Sequence, residues 1–197
     1  MSDHALAVER RAVQQTSNAV LGMLLFVISE AMFFMGFIAV YFTAYSNAKV
    51  WPPKTVPILS IGLPTAATVV LILSVATMAM AAGAGRRRAH RAIVQWTGAT
   101  LALALAFAVL LGLSYHGLGV HANSDIYGSL FWVLNVVAFA HVVGGIVFFV
   151  LVLTQANAGE LDLRQDPLRA ASIYWNFVAV IGVALYVLFY LANVGAK

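Results

Sequence analysis

The chain has 197 residues, 62% of them hydrophobic and only 9% charged, where a soluble domain carries about 25% charged residues. That little polar surface excludes a soluble core and defines a polytopic membrane protein. The net charge of +4 sits in short connections between apolar runs, which reads as membrane orientation rather than a nucleic-acid patch, and the lack of cysteine excludes disulfides, thiolate metal sites and a cysteine nucleophile.

Taken in order, the chain opens with a polar stretch, Met1 to Asn18, that has no small-residue cleavage site. It does not resemble a signal peptide, so the first span is expected to be kept as an anchor. Five hydrophobic segments follow, at about 19–44, 57–83, 92–115, 127–154 and 170–193. Each exceeds the length of about 20 residues that crosses a bilayer. Lipid offers no partners to backbone amides, so these segments are helices; the alternating strands of a β-barrel are absent. The expected fold is all-α, a five-transmembrane-helix bundle forming one membrane domain over residues 1–197, without internal repeats. Pro64 falls within the second segment, where a proline is expected to kink the helix and free a carbonyl. Trp51-Pro52-Pro53 forms a stiff extended connection, with Trp51 expected at the outer interface.

The connections set the orientation. Arg10, Arg11, Arg86, Arg87, Arg88, Arg91, Arg164 and Arg169 fall on one side, and Lys49, Lys54 and Lys197 on the other. This bias places the N-terminus in the cytoplasm and the C-terminus outside. The cluster Arg86, Arg87, Arg88 and Arg91 is a positive-inside signal, and alternatively a site for an anionic lipid headgroup. The fourth connection, with Glu160, Asp162, Arg164, Asp166 and Arg169, reads as a solvated mixed-charge loop.

Within the spans, the side chains that titrate near neutrality are Glu30 and His141. Glu30 lies about eleven residues from the cytoplasmic end of the first helix and His141 about thirteen from that of the fourth, which at about 1.5 Å per residue is nearly one depth. An ionisable group at mid-membrane persists only with a partner, a wet cavity or a task. A hydrogen bond between the two would remove most of the cost of burying each. Two readings follow: a buried polar pair that fixes helix register, or a proton-holding site. Asn135 and Asn176 are single amides in spans, expected to hydrogen-bond between helices. His4, His90, His116, His121 and His141 lack metal-ligand spacing, so no metal or haem is expected in this chain. No phosphate loop or nucleophile elbow is present either.

Several short stretches, in this order, resemble a known family. Ser29-Glu30-Ala31-Met32-Phe33-Phe34 is similar to Ser-Glu-x-Met-Phe-Phe, and Trp51-Pro52-Pro53 to the Trp-Pro-Pro before the next helix. Tyr127-Gly128-Ser129 with His141-Val142-Val143-Gly144-Gly145 resembles the fourth-helix motif. Tyr174-Trp175-Asn176-Phe177-Val178 resembles Tyr-Trp-His-Phe-Val-Asp. Together they resemble subunit III of the haem–copper respiratory oxidases (cytochrome c oxidase), in its short five-helix bacterial form. The resemblance implies a non-catalytic subunit of a proton-pumping terminal oxidase in the plasma membrane of a prokaryote, serving aerobic electron transport. It implies partners: a haem- and copper-bearing subunit I and a donor-docking subunit II. It also implies bound phospholipid in a cleft, support of assembly and sustained proton uptake, and protection of the catalytic centre. Glu30 would match the family's carboxylate, with His141 as its partner.

Four positions depart from the family pattern. His116 stands where a glutamate is usual, Ala138 and Asn176 where histidines are, and Ala179 where an aspartate is. A subunit-III-like accessory protein of a quinol oxidase or nitric oxide reductase would suit these losses. An independent carrier or proton channel is the alternative of a different class. It would need a polar stripe through the bundle, where the spans show isolated polar residues.

Overall fold

The computed structural model describes residues 18–53, 56–57, 59–116, 118–162 and 165–192. His4, Arg10, Arg11, Lys54, Arg164 and Lys197 lie outside the described residues. Five helices, all long and apolar enough to cross a membrane, account for most of the chain: α1 (Asn18–Asn47), α2 (Gly62–Arg86), α3 (His90–Tyr115), α4 (Ile126–Asn157) and α5 (Asp166–Tyr186). A short 3-10 turn (Glu160–Asp162) precedes α5, and a π turn (Val187–Leu191) extends it. No strand occurs among the described residues.

Local chemistry explains where the helices start. The Asp125 side chain caps α4 by accepting from the Gly128 N–H at 2.7 Å, which satisfies one of the free amides of a helix N-terminus. In α5, Asp166 lies in the first turn with a proline beside it, where the missing N–H is not needed and a negative charge is favoured. Helix α2 starts at Gly62 rather than near 57, because the chain is still turning: the Val56 N–H donates to the Pro53 carbonyl at 2.9 Å. This corrects the expectation for Pro64. It occupies the first turn of α2, where proline breaks no bond within the helix, so it frees no carbonyl; its own carbonyl accepts from the Thr68 hydroxyl at 2.8 Å.

Helices α2 and α3 run as a hairpin closed by Arg88, whose φ of 52° turns the chain back. Helix α5 is the hub, packed against α1, α2 and α4, while α3 lies against α2 and α4. Helix α1 is peripheral: of its thirty residues only Val20, Phe34 and Tyr41 are buried.

In lipid there is no hydrophobic drive between helices, so close packing and interhelical hydrogen bonds hold them. Trp175 of α5 shows both. Its ring is fully buried, lies 4.9 Å from that of Phe149, and donates through Nε1 to Ser74 Oγ of α2 at 2.8 Å. The Ser74 hydroxyl in turn donates to the Leu71 carbonyl at 2.6 Å. A second tie joins Thr77 and Thr100, 2.9 Å apart, across the hairpin. The Gln165 amide, at the start of α5, donates to the Gly85 carbonyl at the end of α2. Trp51 is half-buried and donates to the Tyr41 hydroxyl at 2.9 Å. Tyr41 donates onward to the Leu188 carbonyl at 3.3 Å, inside the π turn, where the regular ladder is interrupted.

Gly145 lets α4 approach Trp175: a Cβ there would stand 2.7 and 2.9 Å from ring carbons. Gly145→Ala is therefore expected to lower stability by about 1–3 kcal/mol. Gly98→Ala on α3, where a Cβ meets nothing within 4 Å, is expected to raise it by about 0.5–1 kcal/mol. Thermal unfolding of the two variants in detergent checks the opposite signs.

Candidate functional site: a carboxylate–imidazole bridge at the α1–α4 seam

Helix α1 presents Glu30 and α4 presents His141, and the two meet: His141 Nε2 lies 3.2 Å from Glu30 Oε2. The imidazole is oriented from its own helix. Its Nδ1 lies 2.8 Å from the Val137 carbonyl one turn earlier. A carbonyl only accepts, so Nδ1 carries a hydrogen. Nε2 then faces the carboxyl group either with its own hydrogen, as an imidazolium beside a carboxylate, or bare, beside a protonated carboxyl. Either arrangement would place one proton between the two groups, whereas a bare Nε2 and a bare carboxylate would repel.

Aromatic rings surround the pair. Tyr174 stacks on the imidazole with centroids 6.4 Å apart and planes at 18°, and Phe34 and Phe177 meet it edge-on at 5.5 and 6.0 Å. The Tyr174 hydroxyl donates to the His141 carbonyl at 2.8 Å, so α5 also grips this turn of α4. Gly144 admits that hydroxyl: a Cβ there would stand 3.0 Å from it. The pair is less enclosed than a buried pair would be, with side-chain exposures of 14% for His141 and 26% for Glu30. The reason is the placement of α1, which covers the seam from one side only. Tyr174 and the Val137 carbonyl were not singled out from the sequence. The carbonyl is implied by the i−4 spacing on a helix, whereas the stacking of Tyr174 depends on the rotation of α5.

The other candidates fall elsewhere. Asn135 is buried and joins two helices: its Oδ1 accepts from the Tyr115 hydroxyl of α3 at 2.9 Å, and its Nδ2 donates to the Phe131 carbonyl at 2.7 Å. Asn176 corrects the expectation of an interhelical amide. It is exposed and donates to the Ser172 carbonyl of its own helix at 2.7 Å. Arg86, Arg87, Arg88 and Arg91 are all exposed at the α2–α3 turn. At the opposite end of the bundle, a cleft of about 610 Å³ opens between α1 and α5, lined by Ile38, Tyr41, Tyr45, Trp51, Val187 and Leu188 among others. His116 ends α3 exposed and Ala179 is buried in α5. Among the described residues no group of three or more His, Cys, Asp or Glu side chains is placed to hold a metal ion.

These features define a class: a multi-pass helical membrane protein whose first helix is bridged to the bundle by a carboxylate–imidazole pair. Comparison with known proteins narrows it. The family model for cytochrome c oxidase subunit III matches residues 3–194, and the chain belongs to that family. It is 32% identical to cytochrome c oxidase subunit 3 of Pylaiella littoralis, over 91% of this chain and 68% of the relative. It is also 32% identical to a probable cytochrome c oxidase subunit 3 of Mycobacterium leprae, over 86% of this chain and 85% of the relative. A Mycobacterium tuberculosis relative with the same description is 28% identical over 96% and 95%. Membership implies a complex with other oxidase subunits.

If Glu30 and His141 share a proton, removing both must cost less than the sum of removing each. Side-chain hydrogen bonds in membranes couple by about 0.6 kcal/mol on average and about 1.7 at most. A double-mutant cycle of Glu30→Leu and His141→Leu is expected to give a stability coupling in the upper part of that range.

Proposed function

We propose that this chain is the non-catalytic third subunit of a proton-pumping haem–copper terminal oxidase, in the plasma membrane of a prokaryote. Its N-terminus lies in the cytoplasm and its C-terminus outside, as the arginine bias indicates. It docks on the haem- and copper-bearing subunit I, with the donor-docking subunit II in the same complex. It supports assembly and sustained proton uptake by the catalytic subunit in aerobic electron transport.

The observation that carries this reading is the pairing of Glu30 with His141, 3.2 Å apart and partly exposed on the α1–α4 seam. An ionisable pair at mid-membrane is kept for a task or by a covering partner, and a partly exposed pair is open to both. The role is support rather than chemistry, because the pair is a closed bridge without a continuing polar stripe. Phospholipid is proposed at two places. The cleft of about 610 Å³ between α1 and α5, lined mostly by apolar and aromatic side chains, suits an acyl chain, and Trp51 and Tyr45 among its lining suit the interfacial region. Arg86, Arg87, Arg88 and Arg91, at the other end, suit an anionic headgroup. These would be different lipid molecules, one at each end of the bundle.

A second reading keeps the fold and changes the complex. The departures at Ala138 and Ala179 remove polar groups, and Asn176, polar but exposed, contributes nothing to the interior. Both suit an accessory subunit of a quinol oxidase or nitric oxide reductase.

The test is Glu30→Ala in the assembled enzyme. The initial rate of oxygen reduction is expected to stay near that of the unmodified complex, while the number of turnovers before inactivation falls severalfold or the subunit is lost on purification. Unchanged assembly with unchanged working life would contradict the proposed role of the pair.

A further inference from the structure

Helix α5 keeps one stripe of its surface uncovered. Arg169, Asn176, Val180 and Val187 are all exposed, and steps of seven, four and seven residues place them on one face of the helix. The stripe runs between two neighbours. On one flank Phe177 meets the ring of Phe34 in α1 at 6.1 Å; on the other, a Cβ on Gly182 would stand 2.8 Å from Leu71 of α2. Helices α1 and α2 each pack on α5 but hardly on one another, so they wall a groove whose floor is α5. We propose that this groove is a docking surface for one transmembrane helix of a partner oxidase subunit, which presents an amide or hydroxyl side chain to Asn176. That a complex exists rests on the reading above; the face and the chemistry of the occupant follow from Asn176.

Asn176 lies near the middle of the span Asp166–Leu191. It is level with the Glu30–His141 bridge, since the next residue, Phe177, meets the His141 ring. One amide N–H donates to the Ser172 carbonyl of its own helix at 2.7 Å. The second N–H and Oδ1 have no partner among the described residues, although a side-chain amide offers two donors and an oxygen with two lone pairs. At that depth neither water nor a lipid headgroup is at hand, and an acyl chain forms no hydrogen bond. An amide left against acyl chains bears its full desolvation cost. The group that answers it is therefore a side chain on a neighbouring helix, as amides do between helices in membranes. That side chain is uncharged. Arg169, the charge on the stripe, stands two turns nearer the start of α5, and Glu30, at the level of Asn176, is engaged by His141 on the α4 side. Val180, one turn beyond Asn176 and 67% exposed, gives the same helix an apolar contact.

The chain has no cysteine, so a single introduced thiol reports one position. A benzophenone maleimide on Val180→Cys, photolysed in native membranes, is expected to join this chain to a larger oxidase subunit. The same probe on Val109→Cys, exposed on α3, is expected to do so severalfold less. Equal yields from both, adducts with lipid alone, or a product of two copies of this chain would each overturn the proposal. The second measurement is the amount of haem-bearing chain retained per copy of this subunit on purification. Asn176→Leu is expected to lower it severalfold and Asn176→Ser to keep most of it, with the unfolding midpoint of the isolated chain unchanged in both. Full retention in Asn176→Leu would overturn the proposal, and so would a loss accompanied by a lowered midpoint, which would mean a role in folding. If a haem-bearing chain still accompanies the unmodified subunit, these failures strike the surface alone; if none does, the oxidase reading falls with it.

Discussion

Lipid supplies no hydrogen bonds, and most of this architecture follows from how the chain answers its own polar groups. The Trp175 indole is met by Ser74, the Asn135 amide by Tyr115 and Phe131, and the His141 ring by Val137 on one side and Glu30 on the other. Helices α2 to α5 have many such ties and close glycine contacts. Helix α1 has few: the Glu30 bridge and the Tyr41–Leu188 bond hold a helix that otherwise exposes most of its surface. The bridge therefore carries disproportionate weight, since without it the seam would present an unpaired carboxyl group to the bilayer.

What the sequence made legible follows from the strength of each signal. Five spans were readable because a bilayer demands long apolar runs and a chain with few charges leaves little doubt where they lie. The meeting of Glu30 with His141 was readable from depth, since rise per residue fixes height and only two titrating groups shared it. Rotation about a helix axis is another matter. Asn176 was expected between helices and instead faces outward, because nearly uniform apolarity leaves little to mark which face turns inward. The same uniformity hid the stacking of Tyr174 and the partial exposure of the bridge. Pro64 was misplaced for a local reason: hydropathy extends the second segment back to Pro57, whereas backbone hydrogen bonding starts the helix at Gly62.

The departures from the family pattern take on physical meaning in this setting. Ala138 lines a cavity among α2–α5 and also the small gap behind His141, so a position occupied by an imidazole in the resembled pattern is space here. His116 is exposed at the end of α3, and Ala179 is buried in the hub helix.

The central claim is that this bundle belongs beside a haem-bearing chain. The most direct measurement is a gentle detergent purification through a tag on this subunit, with an optical spectrum and mass spectrometry of what accompanies it. Haem absorbance with a large oxidase subunit in fixed ratio is the predicted result. A colourless, homogeneous preparation that persists in progressively milder detergents would contradict it.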